Sequence, residues 1–80
     1  MAVLSLKITS PDGVLCEDTA SYVRLQAADG SVGILPGHAP MLVALVKGQV
    51  CYRKDGAMYT VDVDRGVAEI KDNRVVILSG

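Results

Sequence analysis

The sequence predicts an all-β fold, namely a two-layer antiparallel β-sandwich of about ten short strands. Trp and Phe are absent and 50% of the residues are apolar, so the core has to be built mainly from Val, Leu, Ile and Ala. Val and Ile are stiff at χ1 and favour strands. Turn-forming residues recur at short intervals, which is typical of a sandwich or barrel, and no segment shows a helical period over three turns.

Apolar and polar residues alternate in the runs between these turns. A period of two places the following sets on single strand faces: Leu4, Leu6 and Ile8; Val23, Leu25 and Ala27; Tyr59, Val61 and Val63. The turns that separate the runs are predicted at Ser10–Gly13, Asp29–Gly30, Lys47–Gly48, Asp55–Gly56 and Asp72–Asn73. One face of each strand is therefore expected to pack on the core while the other faces water.

Two segments depart from this alternation. Residues 41–46 are all apolar, and we predict a strand there because the run is short for a helix and contains two valines. In the last strand Val75 and Ile77 alternate with Val76 and Leu78, so both faces are apolar. Such a strand is either central in its sheet or covered by something outside the domain.

The composition argues against several classes of function. The formal net charge is −1 and the charges are mixed along the chain, which leaves no basic surface for nucleic acid. The longest apolar run is far shorter than the ~20 residues that a membrane-spanning helix needs. The N-terminal segment lacks the features of a signal peptide, so we expect the protein to remain in the compartment where it is made.

Residues that commonly carry chemistry are sparse. Cys16 and Cys51 lie in predicted strands, and we expect buried free thiols; a disulfide or a metal site is the alternative. The only histidine is His38, and a catalytic nucleophile would need a base and an orienting group beside it. Asp62 and Asp64 with Glu69 offer few oxygen ligands for a hard cation. We therefore predict a non-catalytic protein with neither cofactor nor metal.

The segment Gly33–Pro40 is the most informative part of the chain. Two prolines four residues apart cannot donate ladder hydrogen bonds, which confines this segment to a sheet edge or corner. A stiff loop loses little entropy when it docks, so the segment is suited to be a preorganised contact surface. From residue types alone, a corner that merely turns the chain between two sheets is an equal alternative.

These segments resemble the N-terminal domain of the epsilon subunit of F-type ATP synthases. The opening LKITSPDG is similar to the family's first strand and turn, and VVILS to the last strand. The central motif of the family is carried here by Gly30, Gly33, Ile34, Leu35, Pro36, Gly37, His38, Ala39, Pro40, Met41, Leu42 and Leu45. The following strand and hairpin are matched by Lys47, Gly48, Arg53, Lys54, Asp55 and Gly56.

The resemblance implies a fold, partners and a location. The family's domain is a β-sandwich at the foot of the central stalk, where it binds the gamma subunit and the ring of c subunits. It would couple ion translocation to rotary ATP synthesis or hydrolysis in the catalytic head without catalysing a reaction itself. We expect a hetero-oligomeric, peripheral complex on the cytoplasmic side of a bacterial inner membrane, which it would contact only through the c-ring, and no binding to nucleic acid.

The resemblance also implies contact residues. The c-ring contact would be carried by Ser31, Gly33, Ile34, Leu35, Pro36, Gly37, His38, Ala39 and Pro40, and the gamma contact by Val76 and Leu78. Many relatives have an acidic residue where Ser31 stands, so the ion pair to a basic c-ring loop is not expected here. We expect residues 1–80 to form one domain without the family's C-terminal helical domain. Alternatives are a free-standing ligand-binding or enzymatic β-domain centred on His38 and a scaffold sandwich of an unrelated assembly.

Overall fold

The computed structural model describes residues 2–80, and these form nine β-strands, which confirms the predicted all-β class. The strands are β1 (Leu4–Ser10), β2 (Gly13–Ala20), β3 (Tyr22–Ala27), β4 (Gly30–Ile34), β5 (Met41–Leu45), β6 (Gly48–Lys54), β7 (Ala57–Val63), β8 (Gly66–Lys71) and β9 (Arg74–Ser79). The predicted turns lie between them, and the apolar run 41–46 supplies β5. Among the described residues, none forms a helix long and apolar enough to cross a membrane.

The strands form two layers. The first sheet has the order β2-β1-β9-β8-β5, and the second has the order β4-β3-β6-β7. The two sheets are continuous at one corner, where Ala27 of β3 pairs with Leu45 of β5. The Val46 amide donates to the Gln26 carbonyl at 3.1 Å, and the chain then passes from β5 in one sheet to β6 in the other. The predicted break at Lys47–Gly48 is this corner, as expected where a strand changes sheets.

One strand pair within the sandwich is parallel. β1 and β9 lie side by side in parallel, with Leu6 opposite Val75 and Ile8 opposite Ile77. All the other strand pairs are antiparallel. Alternation along a strand reports which face is buried and carries no information about which strand is the neighbour, so the sequence could not reveal this contact between the first and last strands. β9 is thereby central in its sheet.

The core confirms most of the predicted alternation. The inward residues of β1, β3 and β9 are buried, and they meet those of β5, β6 and β8 in a single cluster. Tyr59 is the exception, since its side chain is 45% exposed. It lies on β7, whose one partner strand within residues 2–80 is β6, and its ring stacks on Tyr52 with centroids 5.3 Å apart. An edge strand leaves part of its inner face without a covering layer.

Side chains close the sandwich on the side opposite the continuous corner. The Tyr52 hydroxyl on β6 donates to Asp18 Oδ2 on β2 at 3.1 Å, and Lys54 Nζ contacts Asp18 Oδ1 at 2.6 Å. Burial raises the pKa of Tyr52, so the phenol remains a donor. Cys16 Sγ lies 3.7 Å from the same hydroxyl. Both cysteines are free, Cys51 is buried as predicted, and Cys16 is only half-buried.

We expect Asp18→Asn to weaken the fold mainly above pH 5. The hydrogen bond from Lys54 holds the pKa of Asp18 below its usual value, and the Thr19 amide and the Tyr52 hydroxyl act in the same direction. A carboxyl whose pKa is depressed in the folded state stabilises that state above its unfolded pKa of ~4, and this contribution is lost as the pH falls through the folded pKa.

The measurement is the free energy of unfolding of parent and variant by denaturant titration between pH 3 and pH 7. The difference between the two proteins should be largest near pH 7 and shrink towards pH 3. Asp29→Asn, in the exposed β3–β4 turn, is the matched control and should show no such convergence. A constant difference across this range would contradict the role of the Asp18 carboxylate.

Candidate functional site

The proline-flanked loop is residues 35–40, which connect β4 in one sheet to β5 in the other. It contains its own turn, because the His38 amide donates to the Leu35 carbonyl at 3.1 Å. Gly37 has a φ of 86°, a backbone conformation that residues other than glycine rarely adopt. The Gly37 amide donates to Asn73 Oδ1 at 2.7 Å. The loop is therefore a turned corner that is also tied to the β8–β9 turn.

His38 is half-buried in this loop. Its Nδ1 lies 2.7 Å from the Ala39 carbonyl oxygen. No acidic, basic or thiol side chain of residues 2–80 is within hydrogen-bond distance of the imidazole. Within the same residues, no three potential metal-ligating side chains lie together. The imidazole thus has a backbone neighbour and lacks the orienting partner that a general base requires.

The structure divides the predicted c-ring contacts into exposed and buried residues. In the loop, Leu35 is 59% exposed, and Gly37, Ala39 and Pro40 are also exposed, whereas Pro36 and His38 are half-buried. Ile34 corrects the prediction, because its side chain is 0% exposed and lies in the core. As the last residue of β4, it points inward and is not available to a partner.

Ser31 and Gly33 lie on β4, away from the turn of the loop. Both are exposed, and the Ser31 hydroxyl donates to Gln26 Oε1 on β3 at 3.1 Å. Gly33 lies under the Tyr22 ring, so that an added Cβ would come within 2.9 Å of the Tyr22 hydroxyl oxygen. The two residues therefore belong to the outer surface of the second sheet, and their hydrogen-bond partners are on β3.

The outer surface of the first sheet carries an apolar patch, which we call the outer apolar face. It consists of Leu42, Ala44, Val67, Val76 and Leu78. Strand register places these residues side by side, because Ala44 pairs with Val67, which pairs with Leu78. In the next row Glu69 lies between Leu42 and Val76. Residues directly opposite each other project from the same face of a sheet, so the predicted pair Val76 and Leu78 is part of a larger surface.

The exposure of this face is unusual for a small domain. Leu42 is 71% exposed, Leu78 59% and Val67 45%, while Val76 is half-buried. Glu69 separates Leu42 from Val76 within its row, and Lys7 borders the patch through its pairing with Val76. Single exposed apolar residues are common, but a contiguous group with a charged border is typical of a protein-interaction site.

Comparison with known proteins identifies the family. The sequence profile described as "ATP synthase, Delta/Epsilon chain, beta-sandwich domain" matches residues 3–80. The chain belongs to this ATP synthase delta/epsilon family. The ATP synthase epsilon chain of Lawsonia intracellularis is 41% identical over 76 residues, and that of Desulforudis audaxviator is 36% identical over 78 residues. The alignments cover 95% and 98% of this chain but 57% of each relative.

Solved structures show the same fold. A chain in the structure of the OSCP/F1/c-ring part of the Euglena gracilis mitochondrial ATP synthase superimposes with a TM-score of 0.90 and 21% identity, covering 99% of this chain and 51% of that one. A chain from the central stalk/c-ring structure of the Tetrahymena thermophila enzyme gives a TM-score of 0.77 and 14% identity, covering 95% and 62%. At these identities the likeness establishes the architecture of the delta/epsilon sandwich alone.

Sequence reasoning missed several residues of this delta/epsilon domain that adjoin the predicted contacts. Leu42 was placed in the family motif but not in a contact surface, Val67 was not singled out, and Asn73 was predicted only as part of a turn. Alternation in β8 would have placed Val67 opposite to Ala68 and Ile70, leaving an apolar residue on the outer face. No local signal indicates the hydrogen bond of Asn73 to the loop, because its partner Gly37 is 36 residues away in the chain.

Proposed function

We propose that this domain is a rotor element of an F-type ATP synthase. In this proposal the outer apolar face binds the gamma subunit, and the loop 35–40 with Ser31 and Gly33 faces the c-ring. The domain passes rotation driven by ion flow to the catalytic head, has no reaction of its own, and is held at the cytoplasmic face of a bacterial inner membrane through the ring. Membership of the delta/epsilon family supports this role, and the outer apolar face is the observation on which it depends.

The outer apolar face favours a stable protein partner over a ligand. β9 is central in its sheet. If water covered the outer face of this sheet, the outward residues of β9 would be expected to be polar. Fully burying a Leu or Val side chain stabilises a complex by about 1.5–3 kcal/mol. Leu42, Val67 and Leu78 therefore offer exposed apolar anchors for a protein partner.

The loop favours a second, more polar contact. Leu35 supplies one exposed apolar side chain, and His38 and Ser31 supply polar groups. Because Ser31 is uncharged, the contact to the ring is expected to rely on shape and hydrogen bonds. Its affinity should therefore depend only weakly on salt, in contrast to a contact that is dominated by ion pairs.

We expect Leu78→Asp to weaken binding of this domain to the gamma subunit of its own organism by about 100-fold, because it places an unpaired carboxylate in an apolar interface. Biolayer interferometry with immobilised gamma subunit measures this loss. Met58→Asp is the matched control, since Met58 is 48% exposed on β7 in the other sheet, and it should bind as the parent does. Thermal unfolding of both variants verifies that the fold is intact.

Two results would contradict the proposal. If the parent domain shows no affinity for gamma, the rotor assignment is wrong for this chain. If Leu78→Asp and Met58→Asp bind equally well, gamma contacts a surface other than the outer apolar face.

A further inference from the structure

Asn73 joins two parts of the molecule that are far apart in the chain. Its side-chain Oδ1 accepts a hydrogen bond from the Gly37 amide at 2.7 Å. Its backbone carbonyl accepts one from the Ser5 amide at 2.9 Å. Gly37 is at the centre of the loop 35–40, whereas Asn73 is in the two-residue turn between β8 and β9.

The conformation of this turn does not by itself require an asparagine. Asp72 and Asn73 have φ values of 51° and 58°, both in the left-handed region. Two-residue hairpin turns with two such residues accept glycine at least as readily, because glycine has no Cβ penalty there. The turn therefore does not require the Asn73 carboxamide, and the hydrogen bond that this group makes is to the loop.

The Gly37–Asn73 hydrogen bond involves elements of both proposed contact surfaces, the loop 35–40 and the sheet that carries the outer apolar face. The β8–β9 turn connects the two strands that carry Val67 and Leu78 of the outer apolar face. A shallow cleft of about 290 Å³ lies where the loop meets this sheet, and Pro40, Leu42 and Glu69 are in its lining. The loop thus adjoins the outer apolar face at Leu42, and Asn73 ties the loop to the turn between the two strands that carry most of that face.

We propose that Asn73 is a positioning residue that holds the loop 35–40 in a fixed orientation relative to the outer apolar face. This inference rests on the proposed function, in which one surface meets the ring and the other meets gamma. A domain that passes rotation between two partners needs a stiff connection between its two contacts. The Gly37–Asn73 hydrogen bond provides that connection outside the backbone ladder of the sheets.

The test compares Asn73→Gly and Asn73→Asp with the parent by residue-resolved amide hydrogen exchange in NMR. Glycine keeps the turn conformation and the carbonyl that Ser5 uses but removes the side-chain acceptor, whereas Asp keeps an acceptor oxygen. In Asn73→Gly we expect the Gly37 amide to exchange about fivefold faster, the factor that corresponds to one ordinary hydrogen bond. The Ser5 amide should be unchanged, and Asn73→Asp should restore the protection of Gly37.

Asp72→Gly is the matched control for the turn. Asp72 is also left-handed, and its side chain makes no hydrogen bond within residues 2–80. Its replacement should leave the exchange of Gly37 as in the parent. The inference is overturned if Asn73→Gly does not change the exchange of Gly37. It is also overturned if Ser5 and Gly37 accelerate together in both Asn73 variants, since Asn73 would then only stabilise the turn.

A second measurement separates this inference from the proposed function. We expect Asn73→Gly to bind purified c-ring in detergent about fivefold more weakly than the parent, because the loop must be ordered on binding, and Asn73→Asp to bind as the parent does. An accelerated Gly37 amide with unchanged ring affinity overturns the positioning role. Absence of ring binding by the parent itself overturns the ring contact, whereas the exchange data still decide whether Asn73 fixes the loop.

Discussion

Replacing Gly66 by Ala is expected to destabilise the domain by about 3 kcal/mol or more, a large part of the 5–15 kcal/mol that holds a small domain folded. A Cβ at this position would lie 1.9 Å from the Leu78 carbonyl oxygen and 3.1 Å from the Ser79 Cα. The conflict is with backbone, so no side-chain rotation relieves it. Gly66 begins β8 and pairs with Ser79 at the end of β9, and a methyl group there would push the two strands apart.

Gly48→Ala is the control for the general effect of removing a glycine. Its Cβ would lie 3.5 Å from the nearest atom, Gln26 Cγ, which is an ordinary van der Waals distance. Neither Gly48 nor Gly66 has a positive φ, so the backbone conformation suits alanine at both positions. We expect Gly48→Ala to change the free energy of unfolding by less than about 1 kcal/mol.

Denaturant titration of both variants measures this contrast, and thermal unfolding should show a midpoint lower by about 12 °C or more for Gly66→Ala. If Gly66→Ala were within 1 kcal/mol of the parent, β8 and β9 would not approach each other as closely as the structure shows. The result bears on function as well, because Gly66 and Leu78 lie at the same end of the sheet that forms the outer apolar face.

The inner faces of the strands were predictable because they depend on local pattern. Leu4, Leu6 and Ile8 alternate with polar residues, and alternation determines which side of a strand is buried. Left-handed positions at the turns were likewise indicated by Asp and Asn, which tolerate positive φ. These features require only a few neighbouring residues.

The features that the sequence could not provide depend on contacts between distant segments. The parallel pairing of Leu6 with Val75 joins the first and last strands, and nothing within either strand indicates its neighbour. The outer apolar face requires the register of three strands, so Val76 and Leu78 were predicted while Val67 was not. Asn73 is the same case, because its hydrogen bond to Gly37 exists only once the sheets are assembled.

Ile34 shows how a local interpretation can misassign a single residue. It precedes Leu35 in a segment rich in Gly and Pro, so the two residues were predicted to share one contact surface. β4 extends through Ile34, which pairs with Val23 and points into the core, whereas Leu35 is the first residue of the loop. The end of a strand therefore separates a stabilising residue from a candidate contact residue.

The different orientations of Ile34 and Leu35 predict opposite effects when the two side chains are shortened to alanine. Ile34→Ala should lower the free energy of unfolding by about 2–5 kcal/mol, because it removes buried methyl groups and leaves a cavity, and Ile34 is 0% exposed. Leu35→Ala should lower it by less than about 0.5 kcal/mol, because that side chain is 59% exposed. Denaturant titration measures both values.

Binding to purified c-ring should show the reverse order once each variant is assayed below its unfolding transition. Leu35→Ala removes an exposed apolar side chain from the loop and should weaken ring binding, while folded Ile34→Ala should bind nearly as the parent does. The two residues are matched in size and adjacent in sequence, so only their orientation distinguishes them. If both variants lost the same stability, β4 would end at a different residue. If both lost the same affinity for the ring, binding would depend on the rigidity of the whole corner more than on the exposed surface of the loop.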